Sequence, residues 1–206
     1  LQGVDAYGSS SDLPEAVFFI KMAQQQFENV MAQDYLKDLN VYQTVKSDIS
    51  FTEIKDTCTE FGIDLIVMGS HGANGLREVF IGSNAEKVVR SSKVPVLVIK
   101  NTYENFFIDN FVFASDFKND SKETYKQAVK FAKAFEATIH LLMVNTPNNF
   151  TTTTAAKARI NEFTKDEVYF PISVNIYNDD SVEQGILNFS KEIDADLIGI
   201  STHGRQ

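Results

Sequence analysis

Three glycines, Gly69, Gly72 and Gly82, frame the one stretch of this chain equipped to hold an anion. Gly69-Ser70-His71-Gly72 follows directly on the apolar run Leu65-Ile66-Val67-Met68, and nine residues further on come Gly82-Ser83-Asn84, which open a helical pattern. A second apolar run, Val94 to Ile99, closes the segment. The order is strand, glycine loop, helix, strand. Gly69, Gly72 and Gly82 carry no Cβ, so backbone can approach a ligand closely and adopt positive φ. Ser83 falls at the N-cap, where its hydroxyl can cap the helix or donate to a phosphate oxygen. The N–H groups of Asn84, Ala85 and Glu86 have no partner inside the helix and point to the same space. Phosphate binding is the chemistry such a loop favours. A tight turn with an ordinary N-cap is the plain structural alternative.

Other reactive side chains offer less. His71 has no Ser or Cys nucleophile with a supporting acid nearby in the motif, so a loop hydrogen bond or a phosphate contact suits it better than catalysis. His140 lies between Ile139 and Leu141 in mid-strand and reads as a satisfied core residue. Cys58, the single cysteine, excludes an intramolecular disulfide; beside Ile54 and Phe61, which also face inward, it reads as a small buried hydrophobe. No His, Cys and Asp cluster has zinc spacing. No catalytic or metal-ligating residue is assigned.

The elements that position these residues alternate between strand and helix. A helix runs from Pro14, with Val17, Ile20, Met22, Phe27, Val30, Met31 and Tyr35 largely on one face. Val41 to Val45 is predicted as a strand, Phe51 to Phe61 as a helix ending at Gly62, and residues 63–68 as a strand. Helix 83–92 and strand 94–99 follow, with Pro95 near the strand's start, where a missing N–H is tolerable. A second cycle comprises strand 112–114, helix 121–136, strand 138–144, a helix from about 155 to 166, strand 172–177, helix 182–193 with Ser181 as N-cap, and strand 197–200. The strand runs are apolar throughout, as expected for strands covered on both faces. The fold class is therefore α/β, a parallel sheet with helices on both faces.

An internal repeat divides the chain. Residues 61–72 align with residues 193–204: Asp64 falls on Asp196, His71 on His203 and Gly72 on Gly204. Two related units are expected, residues 1–103 and 104–206. The first lacks a strand ahead of its loop and the second stops after its His-Gly pair, so a piece of a longer protein is expected.

The 206 residues suit one large or two small domains, and an apolar content of 43% supports a packed core. With 19 basic and 28 acidic residues the net charge is −9, which argues against a nucleic-acid partner. No apolar run reaches the roughly 18 residues of a membrane span, and the first residues lack the regions of a signal peptide. A cytoplasmic location is the default.

The signature Gly69-x-x-Gly72-x9-Gly82-Ser83 resembles that of the universal stress protein family in its nucleotide-binding form. The likeness is dense across residues 64–100, and Ala114-Ser115-Asp116-Phe117 is similar to the family's opening after the first strand. The resemblance implies a tandem member with a Rossmann-like fold built on five-stranded parallel sheets. It implies binding of ATP or AMP, with Mg²⁺ carried by the nucleotide, little or no hydrolysis, and a stress-response or signalling role. Carried over residue by residue, the contacts are Met68, Gly69, His71, Gly72, Gly82, Ser83 and Asn84, with Asp116 at the adenine or ribose. An Asx-type turn is the alternative role for Asp116. The resemblance also implies a homodimer, or pairing of the two units, through the last strand Val94–Ile99. Ser201 stands where the first glycine belongs in the second unit, and neither unit holds both halves of a site. Strands from the two units, or from two chains, are therefore expected to complete one sheet. Two other readings remain: a nucleotide-free interaction module of the same family, and a slow ATP hydrolase.

Overall fold

The structure, a computed structural model, describes residues 12–44, 51–70, 83–100, 106–169 and 171–201. Its elements in order are α1 (Asp12–Met31), α2 (Phe51–Glu60), β1 (Ile66–Gly69), α3 (Ser83–Ser91), β2 (Val96–Ile99), β3 (Asn110–Ala114), α4 (Lys122–Phe135), β4 (Thr138–Asn145), α5 (Thr153–Thr164), β5 (Ile172–Asn178), α6 (Val182–Glu192) and β6 (Leu197–Ile200). The fold is α/β, and every strand pair is parallel. No helix among the described residues is long and apolar enough to cross a membrane.

Local signals set most of the boundaries. Ser181 accepts a hydrogen bond from the Gln184 N–H at 3.1 Å and so caps α6. Gly62 follows α2 with φ +59, the left-handed conformation that glycine adopts without strain. At the end of α4 a non-glycine residue, Glu136, takes φ 56. It is held there by its neighbours: the Ala137 N–H bonds the Ala132 carbonyl, and the buried Tyr169 hydroxyl donates to the Ala137 carbonyl at 2.6 Å.

The strands form two sheets, β1-β2 and β5-β4-β3-β6. This corrects the expectation that strands of the two units complete one sheet. Parallel pairing needs a crossover that delivers each strand in register, and the crossovers here return β2 to β1, and β4, β5 and β6 to the sheet around β3. In the larger sheet Phe113 pairs with Leu141 on one side and Gly199 on the other.

Side-chain alternation sends the central strands' residues to both faces. Phe111, Phe113, Ile139, Leu141 and Met143 pack with Tyr125, Val129, Ile160 and Phe163 of α4 and α5. Val112, Ala114 and Leu142 pack with Phe189 of α6 on the other face. Gly185 brings α6 so close that a Cβ there would stand 2.5 Å from Val144 Cγ1.

By its packing the chain separates into Leu1–Thr57 and Cys58–Gln206. No described side chain of Leu1–Thr57 is buried. On α1 the apolar residues Val17, Ile20 and Met22 stay 49%, 40% and 47% exposed. One layer of helix cannot bury its own apolar stripe. The same reason corrects the strand expected at 41–45. Residues 41–44 form no strand, because a β-run holds only against a partner strand or a packed face, and residue 45 lies outside the described residues. Phe61, expected to face inward, is 59% exposed, and Cys58 is half-buried rather than buried.

His140 is satisfied as expected, but half-buried at the edge of the core rather than within it. Its Nε2 lies 3.1 Å from Asn110 Oδ1, an acceptor, so Nε2 carries the proton. Its Nδ1 lies 2.9 Å from the Ser173 hydroxyl, which donates to it. Burial holds the imidazole below its ordinary value of 6.5. On acidification the unfolded chain therefore takes the proton first. His140 contributes stability that is complete above 6.5 and is lost as pH falls toward the folded value. Thermal unfolding followed from about pH 7.5 to about pH 5 should show the wild type losing more stability than His140→Gln. Parallel curves for the two proteins would remove this role.

Candidate functional site

The first half of the expected site is the β1–α3 connection. β1 and β2 run in register from Ile66 opposite Val96 to Gly69 opposite Ile99. The ladder continues one step at each end, with Ile66 N–H to the Pro95 carbonyl at 3.0 Å and Ser70 N–H to the Ile99 carbonyl at 2.9 Å. Chain direction is thus held firmly up to Ser70, which is buried. Met68 is half-buried in β1, and Gly69 ends the strand, exposed.

α3 begins at Ser83, so Ser83 and Asn84 are its first two residues. Their N–H groups belong to the first turn, which has no acceptor within the helix. Ala85 and Val88 are buried and anchor the helix, and Glu86 pairs with Arg90 at 3.0 Å. A turn built on the Ser92 hydroxyl leads into β2: it donates to the Val94 carbonyl at 2.7 Å and accepts from the Val94 N–H at 3.1 Å. His71, Gly72 and Gly82 lie outside the described residues.

Asp116 ends a strand of the other sheet. It follows β3 by two residues, in a loop that also contains Phe117 at φ 54. Two side chains enforce that backbone. The Ser115 hydroxyl accepts from the Phe117 N–H at 2.9 Å, and Asp116 Oδ1 accepts from the Lys118 N–H at 3.2 Å. The second bond is the Asx turn named as the alternative role. Asp116 Oδ2 also pairs with Lys118 Nζ at 2.7 Å, and Arg159 Nη1 donates to the Asp116 carbonyl at 3.5 Å. Burial raises the carboxyl's pKa, but the bonds and charge of Lys118, with the charge of Arg159, outweigh this and lower it below 3.8. Asp116 is an ionised carboxylate already engaged by a cation.

The structure therefore brings Met68 and Gly69 to the start of the loop and Ser83 and Asn84 to its end, while Asp116 ends a strand in a different sheet. Beside Asp116 it places Ser201, at the end of the neighbouring strand β6. The Thr124 hydroxyl of α4 lies 3.5 Å from the Ser201 hydroxyl. β3 leads to β4 on one side and has β6 on the other, so the gap between β3 and β6 is the sheet's topological switch point, where doubly wound sheets hold ligands.

Lys118 and Arg159 were not singled out from the sequence. Lys118 had a local signal, two residues from an Asp in an Asx-turn pattern. Arg159 had none, because its contact spans 43 residues. Among the described residues no group of three or more His, Cys, Asp or Glu side chains could hold a metal ion.

The family model described as Universal stress protein family matches twice, at residues 4–100 and 108–206. A universal stress protein of Methanocaldococcus jannaschii is 35% identical over 78 residues, covering 38% of this chain and 48% of its own length. One from Bacillus subtilis is 44% identical over 48 residues, covering 23% of this chain and 32% of its own length. The chain thus spans about half or less of these two relatives. The crystal structure of a universal stress protein from Archaeoglobus fulgidus superposes with a TM-score of 0.67 at 22% identity, covering 99% of this chain and 71% of that one. That last likeness is one of fold.

Proposed function

The chain belongs to the universal stress protein family in a tandem arrangement, and from that premise we propose that it binds an adenine nucleotide, ATP or AMP, through Gly69-x-x-Gly72-x9-Gly82-Ser83 in its first unit. The observation that carries this reading is the pairing of a strand end with a helix start. β1 delivers the chain to Gly69, and α3 sets off at Ser83 with its first-turn N–H groups unpaired within the helix. A phosphate group placed there meets backbone donors and the positive end of the helix dipole. This suits a chain of net charge −9, which has no need of a basic surface to hold such a ligand. His71, Gly72 and Asn84 complete the phosphate contacts, and Met68 faces the adenine or ribose. Mg²⁺ comes with the nucleotide and offsets phosphate charge.

The second unit takes no nucleotide in this reading. Ser201 replaces the glycine, and Asp116 Oδ1 is used in the turn that closes on the Lys118 N–H. Hydrolysis is absent or slow, since a general base must stand within hydrogen-bond reach of the attacking water. Among the described residues, Asp64 lies beyond the far end of β1, roughly 16 Å of strand from Gly69. Glu86 is paired with Arg90.

The output is a stress-response or signalling role in the cytoplasm. β2 has a partner on one edge only among the described residues. Its other edge is the surface through which a homodimer pairs with it. The test of the nucleotide reading is direct: denature the purified protein and identify what is released by mass. ATP or AMP in near-stoichiometric amount is the expected result. Finding none, together with no calorimetric affinity for ATP, would refute the reading and leave the nucleotide-free interaction module.

A further inference from the structure

The surface beside the Asp116 loop carries residues that the nucleotide reading does not use. A cleft of about 470 Å³ opens between the start of α4 and the exposed side of α5. That is within the range of about 300–1,000 Å³ typical of small-molecule sites. Its apolar wall is made by Phe117 and Phe163, both buried, with ring centroids 5.3 Å apart and planes at 86°. Tyr125 supports Phe163 from behind at 5.4 Å.

The polar wall is cationic. Lys118, Lys122 and Arg159 line the cleft against a single acid, Glu162. This is an unusual concentration in a chain with 19 basic and 28 acidic residues. Lys122 is also the first residue of α4, where the helix dipole favours an acid. A cation at that position works against the helix it opens, and breaks of a local rule tend to mark function.

The existing partners of these cations are weak. Lys118 pairs with Asp116 at 2.7 Å, both exposed, and the half-buried Lys122 with the exposed Asp166 at 3.1 Å; ion pairs open to solvent contribute little. Arg159 holds only the 3.5 Å contact to the Asp116 carbonyl among its described hydrogen bonds, leaving its planar fork for a bidentate partner.

We propose that this cleft binds a small aryl phosphate, with the ring against Phe117 and Phe163 and the phosphate on Arg159, Lys122 and Lys118. A dianion exchanges favourably for two exposed carboxylates, and a flat ring fills the wall that aliphatic ligands would contact less fully.

The probe is phenyl phosphate, titrated into the full chain by calorimetry and by NMR of the Phe117 and Phe163 rings. Phenyl phosphate should bind more tightly than either phenol or inorganic phosphate alone. Arg159→Gln should weaken it by about tenfold or more, as loss of a charged bidentate contact does. Lys122→Gln should weaken it in the same direction. Arg159 is exposed and Lys122 half-buried, and unchanged circular dichroism and melting temperature certify the fold of each variant. Gly82→Val should leave phenyl phosphate binding unaltered, which separates this site from the nucleotide loop. Absence of binding at millimolar phenyl phosphate, equal affinity for phenol or for inorganic phosphate, full affinity in both cleft variants, or loss of binding in Gly82→Val would each overturn the proposal.

Discussion

ATP affinity should fall by at least about a hundredfold in Gly82→Val, equivalent to losing two charge-assisted hydrogen bonds at about 1.5 kcal/mol each. Gly82 stands immediately before the first residue of α3. In the proposed reading a ligand phosphate approaches the backbone here, and a branched Cβ would occupy the space it needs. Valine also disfavours positive φ more than most residues. The fold should survive, because α3 is anchored from Ala85 and Val88, both buried, and the β1–β2 register runs through Ile66 to Gly69. Calorimetric titration with ATP, paired with thermal unfolding, distinguishes the outcomes. An unchanged affinity removes the loop from the site. A collapsed melting temperature assigns Gly82 to folding instead.

The second large effect concerns the core. Phe113→Ala should cost about 3–5 kcal/mol of stability, the range for deleting a buried aromatic ring. Phe113 is 0% exposed and central in β3, hydrogen-bonded in the ladders to both β4 and β6. Its ring lies 5.5 Å from Tyr125 and 6.3 Å from Phe117. A domain's whole stability is about 5–15 kcal/mol, so this one change removes a large part of it. Phe135, 36% exposed, is the control, and its truncation should cost about 1 kcal/mol or less. Urea denaturation gives both numbers, and comparable losses in the two variants would show that the core is not centred on β3. The change should also reach the Asp116 loop. Packing of the Phe117 ring against Phe113 and Phe163 adds to the Ser115 and Asp116 hydrogen bonds that hold its left-handed φ. Faster amide exchange at Lys118 in Phe113→Ala is the expected signature.

The family and the fold class were legible because their signals are local. Glycine spacing, caps and apolar runs each act over a few residues, and the repeat of Asp64-Leu65-Ile66 in Asp196-Leu197-Ile198 needs only comparison along the chain. Ser181 and Gly62 were placed correctly on such grounds, and His140 was correctly read as hydrogen-bonded. The strand expected at 41–45 and the inward Phe61 failed on the same grounds, since neither depends on its own neighbours alone.

The sequence by itself determined an alternating α/β chain with a glycine signature between a strand and a helix and an internal repeat. Only the tertiary structure decided that the described strands divide into two sheets. It alone showed that Asp116 is held by Lys118, and that Arg159 and Phe163 meet the Asp116 loop across more than 40 residues of chain. Periodicity and capping are properties of a turn or a strand, whereas charge pairing and burial depend on which distant segment the crossovers bring alongside.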